Sequence, residues 1–222
     1  AVLGSIDPAG LRSDALRARY ALLYSQAQNK NHIFPISDSL INIAVAYYDH
    51  HGHDSLRMLS HFYRAVIYNR IESYHMALRD GLIAKDLADA LGQPYWTARA
   101  SEEIADAYYN SYNMATASLY HDIAIENYNK TGYVINAQYV VLDKINSLTQ
   151  RSMYQQSLTL LDSMSNIIAP ADLNLRDYLE ESYIRPCYYS NFFDSALIHG
   201  NRARMYAKAL GQEMFDYNDM AD

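Results

Sequence analysis

Residues 55–92 read SLRMLSHFYRAVIYNRIESYHMALRDGLIAKDLADALG, and this stretch decides the fold. Apolar residues recur at spacings of three and four: Leu59, Phe62, Val66 and Tyr68, then Tyr74, Ala77, Leu78, Ile83, Leu87 and Leu91. That spacing puts them on one face of an α-helix, not on alternate faces of a strand. A short polar link at 69–72 divides the pattern into two helices, predicted over roughly 55–70 and 73–91 and closed into a hairpin. No strand pattern of any length competes with it.

Outward from this stretch, the same pattern returns. Gly52, Gly92 and Gly132 are 40 residues apart each time, and Gly211 follows 79 later, with the glycine between them missing. Each follows a helical pattern, where a left-handed C-terminal cap places glycine. Small residues keep the beat at Ala44, Ala84, Ala124, Met164 and Ala203, and again at Ala77, Ala117, Ser157 and Ala196. Within a repeat these two columns are seven apart, on one helix face, and let neighbouring helices approach closely. Tyr74, Met114, Tyr154 and Phe193 form a column of larger residues; Tyr68, Tyr108, Leu148 and Cys187 form another on the preceding helix. A repeat of this length marks a solenoid whose stacked hairpins share a continuous core.

The fold class expected is therefore all-α: an α-solenoid of tandem antiparallel helix hairpins. Five hairpins are placed at about 13–52, 55–92, 95–132, 134–170 and 172–211, followed by a short C-terminal extension. Residues 1–12 read as the end of an upstream repeat, a helix tail over 1–7 broken off at Pro8 and Gly10. The longest link inside a hairpin falls at 32–37, around Pro35. Pro94 suits a helix start and Pro170 separates two hairpins. Pro186 falls inside the first helix of the fifth hairpin, where a kink or early break is expected.

Composition narrows the function classes. Of 222 residues, 50% are hydrophobic, enough for one continuous core. The formal net charge is -7 and no basic stripe is visible, which argues against a nucleic-acid binder. No apolar run reaches the ~20 residues of a membrane span. The single cysteine, Cys187, excludes an intrachain disulfide framework and reads as a buried small apolar residue. The chain opens at Ala1-Val2-Leu3 without an initiator Met, as a piece of something longer would, so missing targeting signals decide nothing. Tyrosine is abundant, at 22 residues against five Phe and one Trp. Its apolar ring and polar tip suit thin layers that are dry at one end and wet at the other.

These columns resemble the tetratricopeptide repeat (TPR). That family carries a small residue in its first helix, a Tyr three later, an aromatic near the turn and two small residues seven apart in the second helix. Here those are Ala65, Tyr68, Tyr74, Ala77 and Ala84, and again Ala105, Tyr108, Met114, Ala117 and Ala124. The sequence departs from the family in three ways. The usual tryptophan position holds His61, Ser101 and Val141; Ile145 replaces a small residue; and the period is 40 rather than about 34. Longer repeats of this kind are similar to those of bacterial peptide-sensing regulators. The opening AVLGSIDPAGL, with ARYALLYSQAQNKN, resembles exported, lipid-anchored repeat proteins of Bacteroides-type bacteria.

The resemblance implies a right-handed superhelix whose concave face, lined by the first helices, binds an extended protein or peptide. Its groove positions correspond here to Asn69, Arg70, Arg99, Asp106, Tyr109, Asn110, Tyr139, Asp143, Asn146, Tyr178, Arg185, Tyr188 and Tyr189. Asn can hold a peptide backbone through paired hydrogen bonds, and Tyr offers flat contact at low entropic cost; packing between hairpins is the competing role for each tyrosine. The expected function is a non-catalytic binding scaffold without a cofactor. The alternative is the ligand-sensing domain of a larger regulatory or membrane-anchored protein. An upstream lipid anchor would place the array in the periplasm or on a membrane facing it, with the cytoplasm as the alternative.

Catalytic chemistry has little support. The run Asp49-His50-His51-Gly52-His53-Asp54 offers metal-binding side chains, but they surround a helix-ending glycine instead of sharing one helix face at i and i+4. A polar helix C-terminus suits them better. His61, His75, His121 and His199 stand alone and read as surface or packing residues. Glu102, Glu103 and Asp106 form an acidic patch that reads as solvated or groove-facing rather than as an acid–base pair. HExxH, GxGxxG, Walker and GxSxG motifs are absent.

Overall fold

A computed structural model describes residues 10–33 and 35–212. Among the described residues there are ten α-helices and no strand: α1 (Asp14–Lys30), α2 (Ser39–Tyr48), α3 (Asp54–Arg70), α4 (Tyr74–Ala90), α5 (Pro94–Asn110), α6 (Met114–Thr131), α7 (Val134–Gln150), α8 (Tyr154–Ile167), α9 (Leu173–Tyr189) and α10 (Phe193–Ala209). The chain is thus an all-helical solenoid of hairpins. The expectations for residues 1–7, for Pro8 and for the C-terminal extension lie outside the described residues.

The chain divides into two compact units, Ala1–Tyr133 and Val134–Asp222. In the first, the core gathers Ala21, Leu22, Ile41, Phe62, Val66 and Ala84. In the second it gathers Leu142, Ile145, Leu161, Met164, Leu175 and Leu179. The small-residue columns sit where the helices press together: Ala77, Ala84, Ala117 and Ala124 are all 0% exposed. At Gly81 the approach is so close that an added Cβ would lie 2.8 Å from Cγ1 of Ile104 on α5.

Turn chemistry explains how the helices end. Gly52, Gly92, Gly132 and Gly211 all have positive φ, as their cap positions require. A second left-handed column carries side chains: His32, Glu72, Tyr112, Ser152 and Asn191, with φ between 53° and 64°, close the turns inside the hairpins. Each turn is tied by a backbone bond to the carbonyl five residues earlier, such as Ser73 N–H to Tyr68 O and Asn113 N–H to Tyr108 O, both 2.8 Å. The glycine pattern gave no hint of this second column, because any residue can occupy it at the cost of local strain.

The helix starts are set by caps. The side chains of Ser13, Asn113 and Asp172 accept from the backbone N–H groups of Leu16, Thr116 and Leu175, and Pro94 opens α5. Contrary to expectation, Pro186 does not break α9, which runs on to Tyr189. The missing N–H falls in the last turn, so one helical bond is lost, and the end is closed by Ser190 N–H to Pro186 O at 3.1 Å and Phe192 N–H to Cys187 O at 2.9 Å.

Candidate functional site

The sequence-derived groove residues lie on the first helices of successive hairpins. In the first unit they come from α3 and α5. Asn69, in the last turn of α3, is half-buried, and its Nδ2 donates at 2.9 Å to both the backbone O and Oε2 of Glu103 on α5. Arg99 lies over the Phe62 ring, 5.4 Å from its centroid, and its Nη1 is 3.3 Å from Glu102 Oε2. The Tyr128 hydroxyl of α6 donates to the same Glu102 oxygen.

Burial sets the electrostatics of this cluster. It pushes the Glu103 carboxyl up, against the Arg99 charge and the Asn69 hydrogen bond. Burial also opposes charge on Arg99, but the facing Glu102, Tyr128 and Glu103 outweigh it and hold the guanidinium charged. The Tyr128 phenol is pushed up by burial and by the Glu102 charge. Glu102 and Glu103 are therefore built into the joint between α3, α5 and α6. Of the acidic patch only Asp106 is exposed. Arg70 and Asn110 are exposed and Tyr109 is half-buried. Asn110 donates only to its own helix, to Asp106 O at 2.9 Å, so its side chain stays at the surface.

In the second unit, Tyr139, Asp143 and Asn146 of α7 meet Tyr178 of α9. The Tyr178 hydroxyl donates to the Asp143 carboxylate and accepts from Asn146 Nδ2 at 2.8 Å. The Tyr139 and Tyr178 rings lie 6.4 Å apart, 29° from parallel. Burial pushes the Asp143 carboxyl up, offset in part by the Tyr178 hydroxyl. The other three expected residues form a separate aromatic group at the end of α9. Tyr189 stacks on Tyr154 at 5.3 Å, Arg185 lies over the Tyr189 ring at 5.7 Å, and Tyr188 meets Phe193 edge-on at 5.4 Å. Arg185, Tyr188 and Tyr189 are all exposed.

Two imidazole–carboxylate clusters, one buried and one half-buried, were not legible as such in the sequence. His61 of α3 is hydrogen-bonded through Nδ1 to Asp80 Oδ1 and through Nε2 to Asp49 Oδ1, both 2.9 Å. Arg64 clamps the same Asp80 through Nε at 2.6 Å and Nη2 at 2.8 Å. Burial alone would raise the Asp80 carboxyl, but bonds from His61 and Arg64 and their charges bring it down to about 2. In the last hairpin, His199 of α10 bonds Glu180 Oε2 of α9 at 2.5 Å and stacks on Tyr183 at 4.0 Å. The signal for both was present in the period, which puts His61 in register with Glu180 and Asp80 with His199.

His50, His51 and His53 are exposed, and the His51 ring stacks on Tyr47 at 4.8 Å. Among the described residues no group of three His, Cys, Asp or Glu side chains is placed to hold a metal ion. Among them, too, no helix is long and apolar enough to cross a membrane. Cys187 is buried, and burial pushes its thiol up. A buried, protonated thiol is a poor nucleophile.

No family model matches the sequence, and no curated protein matches it significantly. Solved structures do. BtubC (BKLC) from P. vanneervenii is similar over 91% of this chain and 84% of its own, with a TM-score of 0.70 at 12% identity. A kinesin light chain with nearly identical TPR-like repeats, from Podosopora anserina, is similar over 90% of this chain and 99% of its own, with a TM-score of 0.69 at 14% identity. The fold of this chain is that of the TPR-like helical repeat proteins.

Proposed function

We propose that this chain is a non-catalytic scaffold that binds a protein or peptide along its first helices. The observation that carries this reading is how polar and aromatic side chains divide on those helices. One set holds neighbouring hairpins together: Asn69 with Glu103, and Asn146 with Tyr178 and Asp143. A second set, Arg70, Asp106, Asn110, Arg185, Tyr188 and Tyr189, stays exposed. The first set ties first helices of neighbouring hairpins together, and the second lies at the surface of the same helices. This is the division between supporting shell and contact surface that a rigid recognition site needs.

The test separates the two sets. Partners are selected from a displayed peptide library, and their affinities are measured against Asn110→Ala, Tyr188→Ala and the double variant. Both residues are exposed, so the variants are expected to melt like wild type. Each lost contact is expected to weaken a genuine partner by ~1 kcal/mol or more. If every selected peptide binds the double variant at wild-type affinity, the first-helix surface is not the binding face.

A further inference from the structure

The turn that joins α9 to α10 carries an aromatic surface. Tyr188, Tyr189, Phe192 and Phe193 fall close together in the chain and are 56%, 52%, 53% and 55% exposed. The period shows that packing does not ask for them. Tyr188 is in register with Asn69, Tyr109 and Thr149, Tyr189 with Arg70, Asn110 and Gln150, and Phe192 with Ser73, Asn113 and Met153. Tyr109 is the one aromatic residue in these columns before the last hairpin. Half of each ring is left in water, which is unfavourable until a partner covers it.

The rings stand on a fixed backbone. Ser190 N–H donates to Pro186 O at 3.1 Å, Phe192 N–H to Cys187 O at 2.9 Å and Ala196 N–H to Phe192 O at 3.0 Å. Tyr154 of α8 stacks on Tyr189, 8° from parallel; Tyr188 stands at 90° to Tyr189, and Phe193 at 72° to Tyr188. Neighbouring rings set nearly square leave slots walled by ring faces and edges. Little is left to order when something docks there.

The polar chemistry of this surface is one-sided. Arg185 is exposed, lies over the Tyr189 ring and makes no ion pair with a described residue. The Tyr188 and Tyr189 hydroxyls make no hydrogen bond to another described residue. Arginine only donates, and a phenol donates readily. No strand edge lies among the described residues, so the N–H groups of an extended partner would find no ladder of backbone acceptors. A segment rich in carbonyls and poor in N–H groups suits such a surface. Proline has no N–H, and a polyproline II segment makes no internal hydrogen bonds, so its carbonyls are open to donors. Its rigid apolar rings fit aromatic-lined slots, and its preformed backbone loses little entropy on docking. The unpaired charge of Arg185 sets the flanks: neutral or acidic residues suit it and basic ones do not.

We propose that the aromatic turn between α9 and α10 docks a proline-rich segment of a partner protein in the polyproline II form. Proline rings lie between Tyr188, Tyr189 and Phe193, and carbonyls accept from Arg185 and the two phenols. This rests on the scaffold reading above and names the partner that one part of the surface takes.

The probe is a fluorescein-labelled deca-proline peptide, titrated with the whole 222-residue chain and followed by anisotropy. A serine–glycine peptide of equal length is the control. Saturable binding of deca-proline alone is expected. Tyr188→Ala with Phe193→Ala should weaken it about tenfold, Arg185→Gln several-fold, and Tyr112→Ala, an exposed ring on another turn, not at all. Thermal melts check each fold, and Arg185→Gln, at an exposed position, keeps the test open if the double variant unfolds. Deca-proline that fails to bind overturns the proposal, as does binding that neither variant weakens. Tighter binding of deca-glutamate overturns it too and assigns the surface to an acidic partner. Selected library peptides separate the two readings. Peptides that need Tyr188 but carry no excess of proline sink the proline assignment and leave the scaffold standing, whereas peptides that ignore both Asn110 and Tyr188 sink the scaffold reading itself.

Discussion

Hairpins α3–α4 and α9–α10 solve one packing problem in opposite polarity. The place where the two helices meet is held by His61 and Asp80 in the first and by Glu180 and His199 in the second. The two hairpins between them put Ser101 with Tyr120 and Val141 with Leu160 in the same register. The position therefore demands contact, not a particular chemistry. The two ion pairs differ in how closed they are. Side-chain exposure is 3% and 0% for His61 and Asp80, and 16% and 8% for His199 and Glu180. The supporting cation is Arg64, 12% exposed and 2.6 Å from Asp80, against Arg202, 56% exposed and 4.0 Å from Glu180. Enclosure, not the identity of the pair, should set what each is worth.

That comparison is sharpest under truncation. Asp80→Ala leaves His61 and Arg64 buried without their shared acceptor, and a loss of about 3–5 kcal/mol in urea unfolding is expected. Glu180→Ala removes the same register position where water can reach the partners, so about 1–2 kcal/mol is expected. Equal losses would break the comparison. Exchange variants come next. His61→Glu with Asp80→His should recover little, because Arg64 would then face an imidazole. Glu180→His with His199→Glu should recover most of the loss of its single variants, because Arg202 can follow the carboxylate. Double-mutant cycles measure both.

Acid separates the clusters by sign. Asp80 is held at about 2 in the fold, below its ordinary 3.8. Its contribution is therefore complete above the ordinary value and is lost as pH falls through about 2. Asp143 is shifted the other way by burial, so its ionised form costs stability near neutrality and protonation relieves that cost. Asp80→Asn should flatten the fall of Tm between pH 4 and pH 2. Asp143→Asn should leave Tm at pH 7 equal or higher, and a clear drop there would show that the charge on Asp143 is needed. The smallest effect expected is at Tyr112, which is 89% exposed with φ of 61°. Tyr112→Gly relieves the left-handed strain and should raise stability by about 0.5–1 kcal/mol, read as a shift in urea midpoint.

Much of this architecture was legible because the period repeats its constraints. Glycine caps, small-residue columns and apolar spacing each pointed to the same helices, and agreement across levels makes a reading secure. Asn69 and Asn146 were named from the groove positions that the family resemblance implies, but their bonds to Glu103 and Tyr178 were not foreseen, since a polar residue on a helix surface does not announce whether it faces water or the next hairpin. His61 is a packing residue, as its lone place in the sequence suggests, but its partners Asp49 and Asp80 were not legible because they lie 12 and 19 residues away, on either side of its helix. The early break expected at Pro186 does not occur, and the proline stands only three residues before the helix ends at Tyr189, so few helical bonds follow it. The non-glycine turn column escaped notice because it leaves no compositional trace.

The alternation of turn types has a mechanical consequence. Inside the hairpins the left-handed residues bear side chains, which restrict their other conformations; at Gly52, Gly92 and Gly132 the joints between hairpins use the most permissive residue. Rotational freedom is thus concentrated at regular intervals of about forty residues. Under tension such a chain should yield joint by joint, each hairpin coming away as a closed clip, and the extension steps should count hairpins rather than single helices.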